Sequence, residues 1–268
     1  MNLSYSIASW MSSKISSVIV KIRPAKRYNR SHWLDAIRGV AIIMMVVFHF
    51  FYDLTLFGLA EIPIYTSTGW IVFRFIILSS FLGTVGVSLY LHHQRGINYS
   101  AYARRVMFIT INAWAITLVT YVTLAEQYVF FGILHLIALS SIFGLLFVRL
   151  HWLNLILGLA ILILGYNYSN AIFDNFGTRW IGMLPRATGS SDFTPIFPFF
   201  GLVLLGMFVA RFLGNAIYAQ GPNARMLKLG LIARITSGLA GMGRYSLIIY
   251  MIHQPIIWGL LYIYILIK

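Results

Sequence analysis

The 268-residue chain is 60% apolar and only 10% charged, with a mean hydropathy of +0.83. A soluble domain carries roughly 25% charged residues, so composition excludes that class and defines a polytopic membrane protein. Cysteine is absent, which excludes a disulfide framework, a Cys-ligated zinc site and a covalent thiol intermediate. A net charge of +14 fits cytoplasmic loops and anionic headgroups better than nucleic acid.

In chain order, residues 7–22 are weakly amphipathic and the basic run Lys21–Arg30 follows them. A secretory signal has the reverse order, positive charge before the apolar core. The expected element is an uncleaved amphipathic helix on the cytoplasmic surface, so residues 1–30 form an N-terminal segment and residues 31–268 the transmembrane domain. About 20 apolar residues cross the hydrocarbon core. Seven windows qualify, near 36–57, 69–91, 105–124, 129–148, 151–168, 195–214 and 244–266, and they predict an all-α transmembrane bundle. The long connection 211–243 contains LIARITSGLAG, a candidate for a second interfacial helix.

The distribution of bases orients the bundle. With the N-terminus cytoplasmic, fifteen Lys and Arg fall inside, among them Arg104, Arg105, Arg149, Arg211 and Arg244. Only Arg179, Arg186 and Lys268 fall outside, together with Glu61, Glu126, Asp174 and Asp192. Anionic lipids are expected at the cytoplasmic face of the membrane.

The expensive residues lie inside the spans. Arg38 is near the cytoplasmic end of the first, and His49, eleven residues on, is about 16 Å deeper at 1.5 Å per residue. Eleven steps of about 100° bring the two within about 20° of one direction. Asp53 is one turn further along that face, placed to fix the tautomer of His49. The stripe can face only the bundle interior. Arg74 on the second span, His135 on the fourth and His253 on the seventh have depths at which they could join it, with Pro255 freeing a carbonyl beside His253. Each has a plainer reading: Arg38 snorkelling to headgroups, Asp53–Arg74 as a structural ion pair, His135 as a packing histidine. His92 and His93 sit in a basic loop with no assigned role. No metal is expected, because the histidines lie on separate spans without HExxH spacing.

The first-span segment LDAIRGVAIIMMVVFHFFYDL, with Arg and His separated by ten residues, resembles the first motif of the heparan-alpha-glucosaminide N-acetyltransferase catalytic-domain family. It is more distantly similar to the bacterial membrane O-acyltransferases. FGILHLIALSSI at 131–142, SDFTPIFPFFGLVLLG at 191–206 and GRYSLIIYMIHQP at 243–255 resemble the bacterial branch, in the same order. The resemblance implies an acyl-CoA-dependent membrane acyltransferase, with acetyl-CoA as donor and a hydroxyl or amine, sugar-like, as acceptor on the outer side. It implies His49 as general base or acyl carrier, assisted by Asp53, and Arg38 as a contact to the CoA phosphates. Arg244, at the inner end of the last span, is a second expected phosphate contact. Loop 167–194, with Trp180 and Asp192, is the expected acceptor loop; the heparan acceptor itself is not carried over. A homodimer is kept as a candidate assembly. The competing functions are a transporter or binding protein for a small anionic or lipid substrate, against which stands the lack of an inverted repeat, and a non-catalytic scaffold for another envelope enzyme.

Overall fold

The computed structural model describes residues 31–93, 96, 98–124, 127–185, 190, 192–218 and 230–268. The expected N-terminal interfacial helix lies outside the described residues. Eight α-helices are present among them: α1 His32–Leu56, α2 Thr68–His93, α3 Tyr99–Leu124, α4 Ile133–Phe147, α5 Trp152–Asn167, α6 Ile196–Tyr218, α7 Gly230–Arg244 and α8 Ser246–Ile267. Each of the seven apolar windows contains a helix, and α7 is the additional one, formed by the segment that carries LIARITSGLAG. Five helices are long and apolar enough to cross a membrane: α1, α2, α3, α6 over Ile196–Leu213, and α8. The apolar helices α4 and α5 have 15 and 16 residues, about 22–24 Å at 1.5 Å per residue and short of a hydrocarbon core of about 30 Å.

The bundle is apolar on its outside, as lipid requires. On α1 the exposed residues Ile37, Val40, Ile43, Val47 and Phe50 form a stripe at helical spacing, while Asp35, Ile42, His49 and Asp53 are buried on the other side. Polar inside and apolar outside inverts the pattern of a soluble bundle. The N-terminus of α1 is capped by the Ser31 hydroxyl, which accepts from the Leu34 N–H at 3.4 Å. Asp35 occupies the first turn, favourable to the helix dipole.

Backbones meet where side chains are small. A Cβ on Gly86 of α2 would lie 1.9 Å from the Val203 carbonyl oxygen of α6, and one on Gly206 would lie 2.2 Å from the Gly83 carbonyl oxygen. Close small-residue crossings of this kind hold helices together where no hydrophobic effect separates protein from lipid. The same device seats α7 on the first turns of α1. A Cβ on Gly243 would lie 1.7 Å from the Asp35 carbonyl oxygen, and one on Gly39 1.9 Å from that of Leu239. This packing brings Arg244, at the end of α7, beside the start of α1.

Candidate active site

A cavity of about 510 Å³ opens between α1, α2, α3, α4 and the α7–α8 joint. Four helix termini meet at one end of it: the start of α1, the end of α2, the start of α3 and the α7–α8 joint. They contribute Arg38, His92, Arg105 and Arg244. His92, Arg105 and Arg244 are exposed there, and Arg38 is deeper. Arg38 donates from Nη1 to Asp35 Oδ1 at 3.2 Å and from Nη2 to Ser88 Oγ at 2.7 Å. The middle wall is apolar, with Leu34, Phe81, Val85 and Ile109, and the inner end is formed by Ile133, Leu134 and Tyr250.

Tyr250 closes that end through its hydroxyl, which donates to Asp192 Oδ2 at 2.5 Å. The same carboxylate oxygen accepts from the Ile133 N–H at 3.3 Å, so the first turn of α4 and the second turn of α8 share one acid. Burial pushes the Asp192 carboxyl up from its ordinary range, while the Tyr250 bond and the Arg74 charge oppose that shift. Arg74 donates from Nη2 to the Phe193 carbonyl at 2.7 Å, and the Thr194 N–H donates to the Phe131 carbonyl at 3.0 Å. Residues 192–194 are therefore the hub on which α2, α4 and α8 converge.

The second group lies beside Tyr250. His49 and His253 pack edge to face with ring centroids 5.1 Å apart, and His253 lies 5.7 Å from the Tyr250 ring. Both histidines are buried. His253 Nδ1 donates to the Tyr250 carbonyl at 2.7 Å, which leaves the lone pair on Nε2. That nitrogen and His49 Nδ1 are buried without hydrogen-bond partners among the described residues.

Several expectations change in this geometry. Asp53 is fully buried but does not orient His49. Its Oδ1 accepts from Trp258 Nε1 at 3.0 Å and Gln254 Nε2 at 3.4 Å, both on α8. The Asp53–Arg74 ion pair does not form either, because Arg74 is directed to the Phe193 carbonyl. The physical reason is common to both. A short carboxylate in an apolar bundle settles on the nearest N–H donors, and α8 supplies two. Trp258→Phe is expected to destabilise the fold by about 1–3 kcal/mol, the cost of a buried acceptor losing its better donor; thermal unfolding in detergent measures it.

His135 is held at both ring nitrogens. Its Nδ1 accepts from the Gly132 N–H at 3.2 Å, so Nε2 carries the proton toward Thr117 Oγ1 at 3.3 Å. Thr117 in turn donates to the Val129 carbonyl at 2.7 Å. Both ring nitrogens are satisfied and the ring is stacked on Phe131. Trp180 donates from Nε1 to the Gly177 carbonyl at 2.7 Å and packs beside Phe131. His49 and Asp53 do not line the cavity that holds Arg38 and Arg244. Sequence reasoning missed three cavity residues: His92 and Arg105, which read as loop charges, and Tyr250. For Tyr250 a signal was available, since it lies three residues before His253 and so on the same helix face.

An all-helical bundle with an apolar exterior, spanning helices and this density of buried polar groups is an integral membrane protein with an internal polar site. Residues 30–255 match the family model described as heparan-alpha-glucosaminide N-acetyltransferase, catalytic. The chain belongs to that family, which makes it an acetyltransferase of the membrane. No curated protein and no solved structure matches it.

Proposed function

We propose that this acetyltransferase takes its acetyl group from acetyl-CoA bound in the basic cavity and passes it to a hydroxyl or amine of a sugar-like acceptor on the opposite side. The observation that carries this reading is the polarity gradient of one cavity, with Arg38, Arg105 and Arg244 at one end and Tyr250 at the other. CoA has the matching gradient: phosphates at one end, a pantetheine arm, and the thioester at the far tip. Guanidinium groups suit the phosphates, and the apolar wall suits the arm. The excess of bases inside makes the basic end cytoplasmic and anchors that face on anionic lipids.

His49 carries the chemistry in this proposal. As general base it removes the proton of the acceptor hydroxyl or amine while that oxygen or nitrogen attacks the thioester carbonyl carbon. The C–S bond breaks, CoA departs as thiolate, and the proton held on His49 passes to its sulfur. In the covalent variant the imidazole nitrogen attacks first, CoA leaves, and the acetyl group moves from the ring to the acceptor. Mass spectrometry for an acetyl-histidine after exposure to acetyl-CoA alone separates the two. Asp53 supports the site from behind by tying α1 to α8. The Trp180 ring offers a stacking face to a sugar, because its N–H is already used within the loop.

The test is acetyl transfer from labelled acetyl-CoA in proteoliposomes, with amino and hydroxy sugars supplied on either side. Activity only when donor and acceptor share one side overturns the transmembrane direction. Arg105→Gln and Arg244→Gln are each expected to raise KM for acetyl-CoA about tenfold with kcat nearly unchanged, the pattern of an interaction made equally in ground and transition states. A fall in kcat at constant KM would move these residues from phosphate binding to the chemical step.

A further inference from the structure

Asp53 was the residue expected to orient His49, and the structure commits it to α8 instead. A catalytic imidazole still needs one defined tautomer, because only the nitrogen without hydrogen is a base. Among the described residues, the group placed to set it is His253. Three observations converge on that residue. The rings of His49 and His253 are in edge-to-face contact at 5.1 Å. His253 has its own tautomer set by the Tyr250 carbonyl, which takes the Nδ1 proton at 2.7 Å. The remaining nitrogen, Nε2, is a buried acceptor without a partner among the described residues, as is His49 Nδ1.

We infer that His253 is the positioning residue of a histidine dyad. Its Nε2 lone pair accepts the Nδ1–H of His49 and leaves His49 Nε2 as the basic nitrogen. The inference rests on the proposed role of His49 and goes beyond it. The two nitrogens do not yet bond in the present geometry; catalytic hydrogen bonds are often long before substrate is seated, and a rotation of either ring closes this one. In the reaction the acceptor proton goes to His49 Nε2. The imidazolium so formed is stabilised by donation from its Nδ1 to His253, and His49 Nε2 then gives the proton to the CoA thiolate. A neutral imidazole partner stabilises the imidazolium less than a carboxylate would, which keeps His49 a weaker base and a better proton donor to sulfur.

The surroundings of the dyad limit what else could set its protonation. Arg74 on α2 is the charged group that acts on His49, and Tyr52 and Asp53 are its neighbours on α1. His253 feels Asp192 from the loop and His49 from α1.

The experiment combines kinetics and spectroscopy on the full-length protein. His253→Ala is expected to lower kcat at least tenfold with KM for acetyl-CoA unchanged, and to shift the pH profile of kcat. His253→Gln, whose Oε1 can accept from His49 Nδ1, is expected to recover a large part of the loss. Solid-state NMR of ring-¹⁵N histidine, read with acetyl-CoA bound, needs no acceptor: His49 in the wild type should show hydrogen on Nδ1 alone and mixed tautomers in His253→Ala. Wild-type kcat and pH profile in His253→Ala, or an unchanged His49 spectrum in that variant, overturn the dyad. An active wild type in which His49→Ala keeps full activity overturns the assigned role of His49 instead. If His253→Ala fails to fold, the Gln variant and the wild-type tautomer decide the matter.

Discussion

Replacing His49 by alanine is expected to lower acetyl transfer from labelled acetyl-CoA by about 10²–10⁴-fold, the usual contribution of a positioned acid–base group. The fold should persist. Among the described residues His49 makes no hydrogen bond that holds another element, and its loss leaves the bonds from Trp258 and Gln254 to Asp53 intact. It does not line the cavity proposed for acetyl-CoA, so donor binding should remain near the wild-type level. The decisive comparison is therefore single-turnover transfer against donor affinity in the same preparation. Full activity would refute the proposed chemistry, whereas parallel loss of binding and transfer would make His49 a packing residue.

The second large effect concerns assembly. Gly86→Val should cost about 3 kcal/mol or more, at the upper end of overpacking penalties. Its Cβ would lie 1.9 Å from the Val203 carbonyl oxygen and 2.9 Å from the Met207 nitrogen, both backbone atoms of a helix that cannot yield locally. The helices must separate, and Leu82, Val203, Leu204 and Met207, all without exposed area, lose their packing together. Gly83→Ala, one turn earlier on the same helix, is the control. Nothing lies within 4 Å of its Cβ position, and alanine improves helix propensity by up to about 1 kcal/mol. Thermal unfolding in detergent should separate the two variants widely; equal melting points would refute the crossing.

These two predictions draw on different parts of the molecule's legibility. The stripe on α1 could be read directly, since Arg38, His49 and Asp53 share a helix and helical geometry relates them without a fold. The meeting of polar groups from several helices was expected from depth alone; on α1 His49 meets His253 and Asp53 meets Gln254 and Trp258, while residues 192–194 take partners from α2, α4 and α8. That hub is a loop segment whose partners lie 58–119 positions away. Periodicity carries no information about such pairs. Arg105 and His92 looked like ordinary inner-face charges, because a positive-inside bias treats every base alike. Only the packing of four helix termini distinguishes those that enter a cavity from those that meet headgroups. Tyr250 was hidden for another reason: tyrosine is common in membrane spans, and its hydroxyl gains meaning only from the acid it meets.

The sequence by itself determined the class of protein, the helical windows, the uneven placement of bases and the polar face of α1. All four follow from composition or from geometry within a single helix, where neighbours in space are neighbours in sequence. Tertiary structure alone decided which groups meet. It gave Asp53 to Trp258 and Gln254, His135 to the first turn of α4, Asp192 to Tyr250, and His253 to His49. In an apolar interior a polar group is driven toward whatever partner lies near it, and which partner is near depends on how the helices cross.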